Sequence, residues 1–164
     1  PLGVARVREW YEVPAAPYAR LVASGGGFPS DHSLVQAHKA LDAACGFALP
    51  GAEVLFVAAC GGGPGSETMT PFLDDPRPEA IVARLRQAYV QYGHTTLRLV
   101  EKTARCRVLW HSALDDSLVR RVGAEPVADV QAVLDRWREE APGVAVGVMP
   151  GAPVYRRSEG AGAA

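Results

Sequence analysis

Apolar and polar residues alternate along the chain in segments typical of an α/β protein. Short apolar runs predict strands at residues 19–24, 53–59, 106–112, 125–128 and 144–149. The segments between them have helical periodicity, and the predicted helices cover 4–11, 32–48, 77–92, 94–104, 115–122 and 129–140. The run EVLFVAA at 53–59 is apolar throughout, as in a strand buried on both faces of a parallel sheet.

This alternation predicts one α/β, Rossmann-like three-layer domain with a mostly parallel sheet and helices on both faces. We expect the domain to cover residues 1–150. Residues 151–164 are rich in Gly and Ala and contain two adjacent arginines, Arg156 and Arg157. We expect them to form a flexible tail.

Composition narrows the class of partner. Lys and Arg together number 17 against 18 for Asp and Glu, so no broad basic surface for nucleic acid is expected. The apolar runs are shorter than the ~18 residues of a membrane span, and no secretory signal begins the sequence. Three widely spaced cysteines, Cys45, Cys60 and Cys106, form neither a disulfide framework nor a zinc pattern. These features favour a cytoplasmic protein without a nucleic-acid or membrane partner.

Two glycine-rich loops, at 25–27 and 60–67, follow the first two main strands. Ligands of open parallel sheets bind beyond the carboxyl ends of the strands, so neighbouring strands would place both loops around one crevice. The helix at 32–48 begins there, with Ser30 or Asp31 as its predicted N-cap. Neither loop has a nucleotide-binding fingerprint, because G-x-G-x-x-G and the P-loop ending are absent.

Gln36 and Lys39 interrupt an otherwise apolar helix. They lie three positions apart, in its first two turns, and therefore share a face. A lysine on a mostly buried helix requires a partner or a polar cavity, which an anionic ligand in the crevice would provide. Alternatively, the stem of Lys39 lies on the core and its ammonium reaches water. The pattern leaves both interpretations open.

Other chemistry-bearing residues give weaker patterns. The four histidines do not have the spacing of a metal site, and we expect no metal to be bound within this chain. Cys60 has no base nearby in the sequence, which favours a buried structural thiol over a nucleophile. His94, at the start of a predicted helix after Gly93, is either a group facing the substrate or a neighbour of a helix cap.

The segment GGGFPSDHSLVQAHKALDAACGFALPGAEVLFVAACGGGPGSE, residues 25–67, resembles the C-terminal domain of the nickel-pincer-dependent lactate racemase family. That family has a strand, Gly-x-Pro-x-Asp, a helix with Gln-x-x-Lys-Ala-Leu, a second apolar strand and a Gly-x-Gly-Ser-Glu loop. The matching residues here are Gly27, Pro29, Asp31, Gln36, Lys39, Ala40, Leu41 and 63–67. The similarity covers most of the chain and weakens after about residue 140.

The resemblance implies a racemase or epimerase of small 2-hydroxy acids such as lactate. In that family a nickel pincer nucleotide takes hydride from the α-carbon and returns it to the other face. The cofactor's covalent lysine, the nickel-binding histidine and the histidine bases belong to an N-terminal domain, which this chain lacks. The resemblance therefore implies that the chain is part of a longer protein, is inactive alone, and needs that domain as its partner.

The resemblance also assigns roles to residues. Gln36 would hydrogen-bond the substrate or cofactor, and Lys39 would stabilise the carboxylate or the oxygen whose charge changes. The other residues expected at the cleft are Gly26, Gly27, Asp31, Gly63, Gly65 and His94. Val35 replaces a tyrosine that is frequent in the family, which removes a hydroxyl near the substrate. The alternatives are a non-catalytic nucleotide- or anion-binding module and a structural domain.

Overall fold

The computed structural model describes residues 2–151 and 154–156. The strands are β1 (Glu12–Val13), β2 (Tyr18–Ser24), β3 (Ala48–Val57), β4 (Arg107–His111), β5 (Glu125–Pro126), β6 (Gly147–Met149) and β7 (Tyr155–Arg156). The helices are α1 (Leu2–Tyr11), α2 (Leu34–Cys45), α3 (Pro78–Gln87), α4 (Gly93–Arg105), α5 (Asp116–Arg121) and α6 (Val130–Glu140), and a 3₁₀ turn covers Thr70–Asp74. None of these helices is both long and apolar enough to cross a bilayer.

Five strands form one sheet in the order β5-β4-β3-β2-β6, and every pairing in it is parallel. Strand β3 is central and pairs with β2 and β4 through residues 53–57. Its side chains Val54, Leu55 and Phe56 are fully buried, which is why this run is apolar without alternation. The predicted parallel sheet is confirmed.

Helices cover both faces of the sheet, as predicted. On one face, α2 and α4 pack on the sheet and on each other, and Phe56 meets the edge of Trp110 with ring centroids 5.0 Å apart. On the other face, Trp137 of α6 is buried against Leu55 and Leu109. This is the Rossmann-like three-layer arrangement of the prediction.

Strand β3 begins earlier than the sequence pattern predicts. It starts at Ala48, which pairs with Tyr18, whereas Glu53 pairs with Arg20. The extra residues between these pairs bulge out of the ladder, and Gly51 at φ +77° makes the bulge possible. Residues 49–52, which the sequence pattern left between the predicted helix and the predicted strand, therefore belong to β3 as an irregularity in its pairing.

The start of α2 also differs from its prediction. Neither Ser30 nor Asp31 is the N-cap: the helix begins at Leu34, with Ser33 as an N-cap whose side chain makes no capping bond. The helix ends at Cys45, and the N–H of Gly46 donates to the carbonyl of Ala43 in its last turn. Eight of its twelve residues are buried, which explains its apolar composition.

The tail contributes one pairing that the sequence pattern does not show. Tyr155 and Arg156 form β7, which pairs in parallel with β1 at the other end of the chain. The Arg156 Nε also donates to the carbonyl of Gly46 at 2.9 Å. The rest of the predicted flexible tail, at 152–153 and 157–164, lies outside the described residues.

Candidate functional site

A cavity of about 310 Å³ opens where the order of the strands reverses. Strand β2 lies between β3, which follows it in sequence, and β6, the last strand of the sheet. At such a reversal, the connections that leave two neighbouring strands run in opposite directions. This leaves a crevice beyond the carboxyl ends of the two strands, where ligands of open α/β sheets bind. The cavity is lined by Gly25, Gly26, Ser30, Gln36, Lys39, Ala40 and Gly151.

Gln36 and Lys39 both line this cavity, on the face of α2 that their spacing predicts. The Lys39 Nζ donates to the Gln36 Oε1 at 2.8 Å. Both side chains are exposed, so the ammonium is not buried and needs no buried counter-charge. The geometry agrees with part of each interpretation of Lys39: its side chain is exposed, and it lines the candidate cavity.

The Gln36–Lys39 pair provides hydrogen-bond donors and a positive charge to the cavity. The hydrogen bond uses the amide oxygen of Gln36, which leaves the amide N–H groups of Gln36 and the remaining ammonium protons of Lys39 available as donors. Within residues 2–151 and 154–156, Lys39 is the single charged residue that lines the cavity. A wall with a cation and an amide donor fits a carboxylate or another oxyanion.

The first glycine loop forms the opposite wall. Gly25 and Gly26 line the cavity together with Ser30. Gly26 has φ +92°, a conformation that favours glycine, and its N–H donates to the Ser24 Oγ at 3.1 Å. Gly27 also has a positive φ, at +75°, but it does not line the cavity.

The second glycine loop has a different role from the predicted one. The carbonyl of Gly63 accepts from the N–H of Leu34 at 3.0 Å, and that of Pro64 accepts from Val35 at 3.2 Å. Gly65 packs beside Ser33, where an added Cβ would lie 2.5 Å from the Ser33 Oγ. The carbonyls of Gly63 and Pro64 therefore cap the start of α2, and Gly65 packs beside it. Neither Gly63 nor Gly65 is among the residues that line the cavity.

This capping also leaves no free anion site at the start of α2. The first N–H groups of a helix are free to bind anions only when no other acceptor reaches them. In α2, loop carbonyls accept from Leu34 and Val35, and the carbonyl of Ser33 accepts from Gln36 and Ala37. Side chains, and not the helix terminus, must supply the donors of the cavity.

Asp31 is buried, with 8% of its surface exposed, and does not line the cavity. Its Oδ2 accepts from the N–H of Ala59 at 3.0 Å, and its backbone carbonyl accepts from Cys60 at 2.8 Å. The carboxylate of Asp31 thus binds the backbone just before the second loop, and the expected place of Asp31 at the cleft with a companion domain stays a prediction. Burial and the Asp31 carboxylate raise the pKa of the Cys60 thiol to about 12, in agreement with a structural thiol.

His94 is exposed at the start of α4 and also lies outside the cavity lining. Its ring stacks on Tyr89, with the centroids 6.4 Å apart and the planes at 13°. His38 is half-buried, and its Nδ1 lies 2.7 Å from the carbonyl of Val35. Burial is the main cause that lowers the pKa of His38. Within residues 2–151 and 154–156, no three His, Cys, Asp or Glu side chains form a group that could hold a metal.

Val35 is buried, with 6% of its surface exposed, and packs toward the second glycine loop. It is not among the residues that line the cavity. The replacement of tyrosine by valine therefore changes the packing behind α2, and the wall formed by Gln36 and Lys39 does not include this side chain.

Sequence reasoning missed three lining residues, Ser30, Ala40 and Gly151. Ala40 follows Lys39 on the same helix, and Ser30 belongs to the first loop. Gly151 comes just after β6, so the same rule about carboxyl ends would have found it if the position of β6 in the sheet had been known.

No protein-family model matches the sequence, and neither does any curated protein. Among solved structures, the chain is similar to the lactate racemase apoprotein from Thermoanaerobacterium thermosaccharolyticum, with a TM-score of 0.80 and 22% identity. That match covers 96% of this chain and 40% of the other. A structural-genomics protein from Thermotoga maritima matches with a TM-score of 0.57 and 8% identity, over 91% of this chain and 39% of the other.

These matches establish the fold. They confirm the predicted similarity to lactate racemase at the level of architecture, over nearly the whole chain. The chain spans less than half the length of either neighbour.

Proposed function

We propose that this chain is the C-terminal-type domain of a nickel-pincer-dependent racemase or epimerase of small 2-hydroxy acids, and that its cavity receives the substrate. The observation that carries this proposal is the Gln36–Lys39 pair. It lines a cavity at the strand reversal of a fold shared with a lactate racemase, and its spacing is that of the family's Gln-x-x-Lys motif. The polarity of the wall suits a carboxylate and a neighbouring hydroxyl or carbonyl oxygen.

In the proposed reaction, Lys39 supplies the positive charge. Its ammonium would bind the carboxylate of the substrate or the α-oxygen, which gains negative charge when hydride returns to the carbonyl carbon. Gln36 orients the ammonium and offers its amide N–H groups to the same oxygens. Ser30 and Gly26 face the pair from the first glycine loop and limit the size of the acid that fits.

The strength of this wall depends on whether water is excluded. At 4 Å, two unit charges attract by about 1 kcal/mol in water and about 4 kcal/mol at an effective dielectric constant of 20. Lys39 and Gln36 are exposed in this chain, so a companion domain that covers the cavity would strengthen their interaction with substrate. Without this cover, Lys39 and Gln36 would bind the substrate only weakly, which is one reason why the isolated chain would be inactive.

The companion domain would also hold the cofactor. The described residues contain no group of three metal-ligating side chains, so the part that this chain contributes to nickel chemistry is the facing wall. When bound, the nickel pincer nucleotide would accept and return the hydride. The matched lactate racemase is more than twice as long as this chain, which supports a second domain in the complete, cytoplasmic protein.

The test is racemisation of a panel of 2-hydroxy acids by the complete protein with its cofactor. Lys39→Ala should lower kcat/KM by roughly 10²–10³, the usual effect of removing one donor aimed at developing charge. Arg138→Ala is the matched control, because it removes an equally positive, exposed side chain on the opposite face of the sheet. Unaltered turnover by Lys39→Ala would remove this residue from the mechanism.

A nucleotide- or anion-binding module is the second candidate. The observation that favours it is a cavity that is open in this chain alone, beside a glycine loop and a lysine. Calorimetry of the isolated chain with AMP and with L-lactate distinguishes the two. Tight binding of AMP that Lys39→Ala abolishes would favour the module over half of a racemase site.

A further inference from the structure

The carboxylate of Asp31 lies at the junction of the two glycine loops. Among the described residues, it is the one ionisable side chain in the buried polar set, which otherwise holds Ser33, Thr95 and Thr96. Its Oδ2 accepts from the N–H of Ala59, and its backbone carbonyl accepts from the next residue, Cys60. The adjacent N–H groups of Ala59 and Cys60, where the second loop begins, are thus both bound to Asp31, which follows the first loop.

The packing around Asp31 leaves no room for an additional side-chain atom at Gly25. A Cβ on Gly25 would lie 2.7 Å from the Cβ of Asp31 and 2.8 Å from that of Ala58. The N–H of Gly25 also donates to the carbonyl of Val57, the last residue of β3, at 2.8 Å. The ends of β2 and β3 therefore close around Asp31, and only a residue without a side chain fits beside it.

Asp31 is coupled to the cavity through its sequence neighbours. Ser30, which lines the cavity, directly precedes it. The N–H of Asp31 donates to the carbonyl of Gly27 at 3.1 Å, which closes the first loop on itself. A shift of Asp31 would therefore move Ser30 and the loop relative to Gln36 and Lys39 on α2.

We propose that Asp31 is a positioning residue whose carboxylate fixes the first glycine loop on the second, and so sets the wall of the cavity opposite Gln36 and Lys39. The loop geometry follows from this structure alone, and the consequence for a hydroxy-acid ligand rests on the proposed function. A carboxylate suits this role because it only accepts hydrogen bonds. Asparagine retains one accepting oxygen, and alanine retains none.

The experiment compares Asp31→Ala and Asp31→Asn in the same chain well below its Tm. Amide hydrogen exchange reports the loops, and NMR titration with L-lactate as the probe reports the cavity. In Asp31→Ala, the Ala59 amide should exchange more than about tenfold faster, because its acceptor is lost. Lactate affinity should fall about tenfold, because the opposite wall is displaced. In Asp31→Asn, the exchange rate of the Ala59 amide and the affinity for lactate should both stay close to those of the unaltered chain.

Asp129→Ala is the matched control. Asp129 also accepts from a backbone N–H, that of Ala132 at 3.1 Å, but it caps α6 on the far face of the sheet. This variant should lower Tm without changing lactate affinity or exchange at Ala59. A purely structural role for Asp31 predicts the same pattern for Asp31→Ala, and that result would overturn the proposal.

The outcomes separate this proposal from the proposed function. If the unaltered chain binds no lactate, the assignment of the ligand fails, whereas exchange at Ala59 still decides the role of Asp31. If Asp31→Ala does not fold, Asp31→Leu is the deciding variant, because it also lacks an acceptor for the Ala59 N–H but keeps a branched side chain of similar shape. Unchanged exchange at Ala59 in Asp31→Leu would overturn the positioning role, and faster exchange confined to the two loops would support it.

Discussion

Replacement of Glu53 should separate α6 from the amino end of the sheet. The Glu53 Oε2 accepts from the indole N–H of Trp137, and Oε1 pairs with Arg136 at 3.1 Å and with Arg107. Trp137 is 2% exposed and is the residue through which α6 packs on Leu55. Glu53 is therefore the acceptor for the polar atom of the helix's main anchor.

The magnitude follows from what Glu53→Ala leaves behind. A buried N–H without an acceptor destabilises a protein by about 1–3 kcal/mol. The two arginines are 35% and 51% exposed, so their ion pairs together contribute about 1 kcal/mol at most. The sum is about 1–4 kcal/mol. At about 2–4 °C per kcal/mol for a chain of this size, Tm should fall by roughly 2–16 °C.

A double-mutant cycle with Trp137→Phe tests this origin. In the Trp137→Phe background no indole donor remains, so Glu53→Ala should destabilise by only about 1 kcal/mol through its ion pairs. Urea unfolding followed by far-UV circular dichroism measures all four proteins without relying on tryptophan fluorescence. Equal losses in both backgrounds would refute the assignment of the effect to the Glu53–Trp137 hydrogen bond.

The same group predicts a dependence on pH. Burial raises the pKa of Glu53, but hydrogen bonds from Arg136 and Trp137 outweigh it and bring the pKa below the ordinary 4.5. A carboxyl with a lowered folded-state pKa stabilises the protein fully above its unfolded-state pKa, and this contribution is lost as pH falls through the folded value. The stability difference between the unaltered protein and Glu53→Gln should thus be constant above pH 4.5 and shrink below it. A difference that persists down to about pH 2 would contradict this, since protonation removes the charge there.

Three further substitutions test the packing of α2. Leu41→Ala, at a fully buried position, should destabilise by about 2–5 kcal/mol in urea unfolding. Asp42→Asn should remove about 1 kcal/mol of ion pairing with α4. That loss should disappear below pH 3.8 because, although burial raises the pKa of Asp42, its arginine and lysine partners lower it further. Gly65→Ala should lower Tm, because its Cβ would meet Ser33 and its φ is +78°, whereas Gly61→Ala, with open space around it, should not.

The sheet could be predicted because parallel strands are buried on both faces and are therefore apolar throughout. Residues 53–57 show this best, since both neighbouring strands pair with them. The limits of the strands could not be predicted so well. Ala48 joins β3 through a contact with Tyr18, and β7 exists because Tyr155 reaches Glu12, nearly the whole chain length away. Such pairings depend on tertiary contacts that no local pattern records.

The candidate site divides in the same way. Residues that share one element, such as Gln36 and Lys39, are placed by helical spacing alone. Gly151 could not be assigned, because only the position of β6 beside β2 brings it to the cavity. The sequence pattern placed the second glycine loop around the crevice. In the structure, the carbonyls of this loop accept from the first N–H groups of α2, because the side chain of Ser33 makes no capping bond.

This capping has a consequence for any anion that enters the cavity. Loop carbonyls occupy the start of α2, and among the residues that the structure describes Lys39 is the one charged side chain that lines the cavity, where it is exposed to solvent. Attraction between exposed charges is screened over about 8 Å at physiological ionic strength. Binding of a carboxylate to this chain alone should therefore weaken steadily with added salt and disappear in Lys39→Gln. Salt-independent binding that survives in Lys39→Gln would mean that backbone N–H groups, and not the ammonium of Lys39, hold the anion.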